Sequence, residues 1–117
     1  MNRFLWLTAA LLCLPMMTLA QQLPPSRALG PMSVAIGTTS TVVLPSVPTR
    51  SHLELLNQSG AATIFCTLDG SAPVAAPTGG QITLYPNGGQ VWTTGIVPNN
   101  AINCIASAAS TPMTVLQ

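Results

Sequence analysis

The chain has 117 residues, of which five carry a formal charge at pH 7, and none of the five is a lysine. Nucleic-acid binding needs several cations that neutralise phosphates, and so does attraction to an anionic membrane surface. The composition therefore excludes both from the expected functions. Hydrophobic residues nevertheless make up 48% of the chain, and their grouping in short β-branched runs predicts a folded domain and not a disordered one.

The first 20 residues have the features of a secretory signal peptide. Arg3 supplies the positive start, an unbroken apolar run follows, and Thr18-Leu19-Ala20 ends the segment with small residues at the positions that a signal peptidase reads. We predict cleavage between Ala20 and Gln21. The expected location is therefore secreted or periplasmic.

Two alternatives for this segment stay open. A retained membrane anchor would need about 20 apolar residues, and Pro15 and Thr18 interrupt the run before that length. A lipoprotein signal would place a small residue before its cysteine, whereas Leu12 precedes Cys13. Cleavage is the prediction, with an N-terminal membrane anchor or a virion-associated chain as the other locations.

Removing the first 20 of the 117 residues leaves 97, enough for one small domain. We predict a proline-containing leader over residues 21–31 and one folded domain over residues 32–117. The side chains after residue 20 sum to zero charge, from Arg27, Arg50, Glu54 and Asp69. Such a surface lacks charge-based protection against association, so a protein partner or self-association is expected.

Two cysteines remain after cleavage, Cys66 and Cys104. Period-2 alternation places each on the apolar face of a predicted strand, and an oxidising compartment favours their pairing. We therefore predict a Cys66–Cys104 disulfide between neighbouring or facing strands. Two buried free thiols are the alternative, and a reactive or metal-binding thiol is a remote one.

Short apolar runs separated by turn residues about every ten positions predict an all-β chain. Nothing after residue 20 shows a helical repeat of useful length. We predict a single small antiparallel β-sandwich of seven or eight strands, Ig-like or jelly-roll-like. The predicted strands are Met32–Ile36, Thr41–Leu44, His52–Asn57, Thr63–Leu68, Gln81–Tyr85, Gln90–Thr93, Ala101–Ser107 and Thr111–Leu116.

The loop of residues 86–89, Pro-Asn-Gly-Gly, is typical of a β-hairpin. A hairpin there pairs Leu84 with Val91, and Thr83 with Trp92, which turns Ile82, Leu84 and Val91 toward the core. The opposite face then carries a binding surface. Its predicted members are Tyr85, Trp92, Thr83 and Gln90. Two aromatic rings on one outward face are suited to stacking on a sugar or packing against a protein.

The residues that could support catalysis are few. His52 and Glu54 share one side of a strand, which we interpret as its solvent face, with Leu53 and Leu55 facing the core. Asp69-Gly70 is interpreted as a turn. No metal-ligand spacing and no cofactor motif is present, so we expect no enzyme, no metal and no cofactor. Asn57-Gln58-Ser59 matches a glycosylation sequon.

Three segments resemble a group of small phage and prophage β-sandwich proteins. An arginine, an apolar strand and an asparagine occur in Arg50–Asn57, a glycine-led strand in residues 80–84, and a closing strand pair in residues 105–115. The resemblance covers roughly residues 48–117 and implies a structural domain of a head-decoration, fibre or other virion accessory protein. A signal peptide departs from that pattern. It suits an exported prophage-derived protein, or a phage that assembles at a membrane or carries one.

A second resemblance lies in residues 62–73. This segment is similar to a stretch of chitobiase C-terminal-type sandwich modules, and it contains Thr67-Leu68-Asp69-Gly70-Ser71-Ala72-Pro73. Those modules accompany a catalytic domain in secreted glycosidases, and we expect none in this chain. The leading hypothesis is thus an exported, non-enzymatic structural or interaction module of a phage-like or cell-surface assembly. The alternative is a small secreted carbohydrate-binding or adhesion module that uses Tyr85 and Trp92.

Overall fold

The computed structural model describes residues 31–93 and 96–117. The predicted signal peptide, including the cleavage site at Ala20 and Gln21, lies outside the described residues. The predicted leader also lies outside them, apart from Pro31. Within the described part of the chain no helix is long and apolar enough to cross a membrane.

The described residues form the eight predicted strands, so the all-β prediction is confirmed. No strand end differs from its predicted position by more than one residue. The strands are β1 (Met32–Ile36), β2 (Thr41–Leu44), β3 (His52–Asn57), β4 (Ile64–Thr67), β5 (Gln81–Leu84), β6 (Gly89–Thr93), β7 (Ile102–Ala106) and β8 (Thr111–Leu116).

The strands form two four-stranded antiparallel sheets. Sheet A has the order β1-β8-β3-β6, and sheet B has the order β2-β7-β4-β5. The pairs β1–β8, β2–β7, β3–β6 and β4–β5 are nested in the sequence, as in a long hairpin that has been rolled up. This is the strand order of a jelly roll, one of the two sandwich types that the sequence predicts.

The core lies between the sheets and follows the alternation of each strand. In β3, Leu53 and Leu55 face inward and are fully buried, while His52 and Glu54 face outward. Strand β8 contributes Met113 in the same way. Because apolar side chains alternate along the strands, each sheet has one apolar face, and the two apolar faces pack against each other. The cluster also contains Ile36, Val43, Leu44, Ile64, Cys66, Leu84, Ile102, Cys104, Ala106 and Val115.

The predicted disulfide is present at the centre of sheet B. Cys66 of β4 and Cys104 of β7 are directly opposite each other, with their Cα atoms 4.2 Å apart. Both side chains are fully buried in the core cluster. The bridge therefore joins neighbouring strands of one sheet, which settles the choice between neighbouring and facing strands.

We expect this bridge to provide a large share of the stability. Closing a loop with a sequence separation of 38 should stabilise the domain by about 4 kcal/mol on the chain-entropy model. Domains of this size have total stabilities of roughly 5–15 kcal/mol. Urea unfolding of the oxidised chain, the reduced chain and the Cys66→Ala/Cys104→Ala variant measures the effect. A loss below about 1 kcal/mol in both altered forms would contradict the expectation.

Candidate functional site

The predicted hairpin between residues 82 and 93 is wrong. Strand β5 pairs with β4 in sheet B, whereas β6 pairs with β3 in sheet A. Residues 85–88 carry the chain from one sheet to the other. Gly88 N donates to Tyr85 O (2.8 Å), and Asn87 N donates to Ser59 O (2.9 Å). The loop thus has a hairpin-like turn, but its further bonds go to the connection between β3 and β4.

The change of partner reverses the two faces of β6. Trp92 lies opposite the inward-facing Leu53 and packs against the core, although it was predicted to face outward. Val91, predicted to be a core residue, is 56% exposed. Because side chains alternate along a strand, moving β6 to the other sheet exchanges its inner and outer residues.

The four residues of the predicted binding face are consequently not assembled into one surface. Tyr85 follows β5 in sheet B and is 67% exposed. Thr83 lies in β5 and is half-buried, whereas Gln90 lies in β6 beside the half-buried Trp92. Tyr85 and Trp92 therefore do not form a shared two-ring platform in the described residues.

His52 and Glu54 lie where the sequence predicts, on the outward face of β3. Their side chains are half-exposed, and His52 Nε2 is 3.9 Å from Glu54 Oε2. The nearest cross-strand residues on β6 are Thr93 and Val91. Among the described residues, no group of three or more His, Cys, Asp or Glu side chains is placed to hold a metal ion.

Asp69 occupies the predicted turn after β4. Its Oδ1 accepts hydrogen bonds from Ser71 Oγ (2.6 Å) and from Ser71 N (3.0 Å). The bond from the Ser71 hydroxyl, followed by that from the Ser71 amide, holds the pKa of the Asp69 carboxyl below its ordinary value. The turn is attached to sheet B through Asn103 Nδ2, which donates to Gly70 O (2.8 Å).

Arg50, just before β3, is a buried cation that binds neutral oxygens. The residue is 8% exposed. Its Nη2 donates to Pro45 O (2.8 Å), its Nη1 donates to Pro98 O and to Asn100 O (3.2 Å), and its Nε donates to Gln117 Oε1 (3.0 Å). Burial lowers the pKa of the guanidinium from its ordinary value. One side chain thus ties together the connections at this end of the sandwich.

Asn57 has the corresponding role at the other end of β3. Its side chain is fully buried. Its Nδ2 donates to Ala62 O (2.8 Å), Leu84 O (3.0 Å) and Tyr85 O (3.2 Å), and its Oδ1 accepts from Ser59 N (2.9 Å). Because β3 and β5 belong to different sheets, Asn57 joins the sheets by polar bonds.

The same contacts determine whether the sequon Asn57-Gln58-Ser59 can carry a glycan. A glycan would be attached to Asn57 Nδ2, the atom that donates to three main-chain oxygens in a fully buried position. A modified Asn57 is therefore incompatible with this fold. The anchoring roles of Arg50 and Asn57 were not predicted, because neither residue belongs to a catalytic pattern. Their signal in the sequence is a polar residue at each end of an alternating strand.

A shallow depression of about 250 Å³ lies between the β3–β4 connection and the β7–β8 turn. It is lined by small side chains, namely Ser59, Ala61, Ala62, Ser107, Ala108, Ala109, Ser110, Thr111 and Pro112. The lining contains no titratable group and no aromatic ring. The depression therefore offers neither acid–base chemistry nor a stacking surface.

The outer strands of the two sheets expose the remaining candidate surface. The strands at the sheet edges are β1 and β6 in sheet A, and β2 and β5 in sheet B. None of the four contains a charged residue or a proline. Val42 in β2 and Val91 in β6 are 62% and 56% exposed. These are uncharged, partly apolar edges of the kind that pair with other chains.

Comparisons with known proteins identify no relative. A scan against protein-family models, a search of curated proteins and a search of solved structures each found no match to this chain. The functional argument therefore depends on the residues and the geometry described above.

Replacing Asn57 by alanine should destabilise the domain by about 2–4 kcal/mol, because it removes the donor from three main-chain oxygens and leaves a cavity. The matched control is Gln58→Ala, since Gln58 is the adjacent residue and is exposed. The control should change the free energy of unfolding by less than about 0.5 kcal/mol. Chemical denaturation measures both. Equal effects of the two substitutions would contradict the role of Asn57.

Replacing Ser71 by alanine should raise the pKa of Asp69 toward its ordinary value, because the bond from the hydroxyl is lost while that from the amide remains. With the lowered pKa, these bonds favour the folded state above the pKa of Asp69 in the unfolded chain. The benefit disappears as the pH falls through the lower pKa of the folded state. NMR titration of the Asp69 carboxyl carbon measures the change, with Ser46→Ala, in another loop, as the control.

Proposed function

We propose that this chain is an exported, non-enzymatic structural or interaction module that works within a larger assembly of phage-like or cell-surface type. The observation that carries the proposal is the composition of the exposed strand edges. All four edge strands lack both charge and proline. Charges and prolines on edge strands are common protections of a domain that works as a free monomer, and among the described residues only a bulge in β2 and a loop beside β5 take their place here. Uncharged edges suit a chain that is covered by partners.

The way in which the domain is held together also favours a rigid building block. The Cys66–Cys104 bridge lies inside sheet B, and Arg50 and Asn57 tie the connections at the two ends of β3. Polar bonds and a covalent bond thus fix the ends and the centre of the sandwich. Rigid surfaces associate with a smaller loss of conformational entropy than mobile ones.

The jelly-roll fold is compatible with the proposal and with its alternative. Viral capsid domains and lectin domains both use it, so the fold by itself selects neither function. The alternative, a small carbohydrate-binding or adhesion module, relied on Tyr85 and Trp92 forming one face. Because Trp92 is half-buried against the core in sheet A and Tyr85 follows β5 of sheet B, the predicted hairpin that placed both rings on one outward face does not form. That arrangement favours the assembly proposal.

The test is the intact mass of the native protein from its own host, before and after reduction, recorded for each cell and particle fraction. We expect a chain that begins at Gln21 and is lighter by two hydrogen atoms before reduction, in a particle or envelope fraction. A chromosomally unmodified host is used, so that overproduction does not drive association.

Other outcomes would overturn parts of the proposal. The same species found free in the periplasm or medium, and retained on a glycan array, would favour the carbohydrate-binding module. A Tyr85→Ala chain, in which an exposed ring is removed, provides the control for such binding. A full-length chain with reduced Cys66 and Cys104 would contradict export.

A further inference from the structure

The four uncharged edges differ in how well the structure protects them. In β2 the pairing with β7 shifts between Val42 and Leu44, which is the irregularity of a β-bulge. Bulges at an edge twist the strand and disrupt the row of main-chain groups that another strand would need. The bulge therefore protects the edge of sheet B at β2.

The β5 edge is also flanked, by the loop that precedes it. Gln81, the first residue of β5, accepts a hydrogen bond from Val74 N at its Oε1 (3.2 Å). Its Nε2 donates to Val74 O (3.1 Å) and to Ala76 O. The side chain thus holds residues 74–76 beside the beginning of the strand. A covering loop is another recognised way of protecting an edge.

Within residues 31–93 and 96–117, neither a bulge nor a side chain-held loop is found at the edges of sheet A, and its two edge strands present different side chains. Both β1 and β6 pair with their neighbours in regular register over five residues. On the outer face β1 carries Ser33 and Ala35, which are small. Strand β6 carries Val91 at its centre, and Val91 is 56% exposed. Cross-strand contact between β-branched side chains stabilises a pair of strands, so β6 is the better edge for a partner.

We propose that a second copy of this chain adds to the β6 edge, with the two β6 strands antiparallel and Val91 of one copy opposite Val91 of the other. This inference deepens the proposed function by naming a partner, and it rests on that function. The two four-stranded A sheets would then form one continuous eight-stranded sheet. A two-fold axis through Val91 makes the contact self-complementary and closed, so it ends at a dimer.

The sequence of β6, Gly89-Gln90-Val91-Trp92-Thr93, suits this register. Centring on Val91 places Gly89 opposite Thr93 and Gln90 opposite Trp92. Trp92 is half-buried on the inner side, so the Gln90 of the second copy would cover part of its ring. Each cross-strand position then carries an apolar, aromatic or uncharged polar pair, and no like charges are opposed.

Electrostatics does not oppose the pairing. The nearest charged side chain on the outer face is Glu54, which lies opposite Val91 on β3. In the dimer the two Glu54 positions are separated by three strand spacings, roughly 14 Å. That distance exceeds the Debye length of about 8 Å at physiological ionic strength, so the repulsion between the two carboxylates is largely screened.

The test compares two substitutions at edge valines that are both more than half exposed, Val91→Lys in β6 and Val42→Lys in the bulged β2. The full chain is expressed in an exporting host, purified without reductant, and analysed by sedimentation equilibrium. We expect the wild type and Val42→Lys to form dimers. Val91→Lys should raise the dimer dissociation constant at least about tenfold, because two ammonium groups would be opposed across the pair.

A second measurement keeps the proposal testable if Val91→Lys fails to fold. Hydrogen exchange of the wild type at high and low protein concentration should show protection of the β6 amides that increases with concentration, while the β2 amides do not change. Wild-type monomers at high concentration, or an equal loss of association in both lysine variants, would overturn the proposal. Monomers in solution together with particle-bound native protein would overturn the dimer and leave the proposed function standing, with a different partner.

Discussion

The pairing of strands that are distant in the sequence is the feature of this fold that costs the most conformational entropy, and the Cys66–Cys104 bridge reduces that cost. In the nested order β1 pairs with β8 and β2 pairs with β7, so most of the chain separates the partners. The entropy of closing such loops must be overcome before the pairs contribute stability. The bridge joins the inner strands β4 and β7. On the chain-entropy model, linking them removes part of the loop-closure entropy from the unfolded chain.

At the two ends of the sandwich, the connecting loops are held by polar side chains and not by further apolar contacts. Arg50 reaches the 45–50 and 98–100 connections and Gln117, and Asn57 reaches across to the end of β5. Each binds main-chain oxygens at positions where loops meet the core, and so attaches those loops to the ends of β3. The apolar strand between Arg50 and Asn57 contributes Leu53 and Leu55 to the core. Its polar ends hold the connecting loops in place. This eight-residue segment therefore fixes both a part of the core and the loops at its two ends.

The strands and the disulfide could be predicted because they depend on local patterns. Alternation in β3 and β7 places Leu53, Cys104 and their neighbours on buried faces, and turn residues mark the strand ends. The assignment of strands to sheets could not be read in this way. The Asn87-Gly88 dipeptide forms a turn whether the chain reverses within one sheet or crosses to the other. The structure takes the crossing, where Asn57 N donates to Gly88 O (2.8 Å). Because β6 pairs with β3 and not with β5, Val91 faces outward and Trp92 faces inward, the reverse of the prediction.

A chain with so few charges cannot rely on repulsion to remain dispersed, so the geometry of its edges has to control association. The bulge makes the β2 edge irregular, a loop held by Gln81 flanks the β5 edge, and β1 presents the small Ser33 and Ala35 on its outer face. The β6 edge is regular and carries an exposed valine at its centre. Two of the four edges, β2 and β5, thus carry a bulge or a flanking loop, whereas β1 and β6 are regular, and of these two only β6 has an exposed β-branched side chain at its centre. The difference between the edges therefore supports the proposal that β6 pairs with a second copy, which the low surface charge would allow to approach.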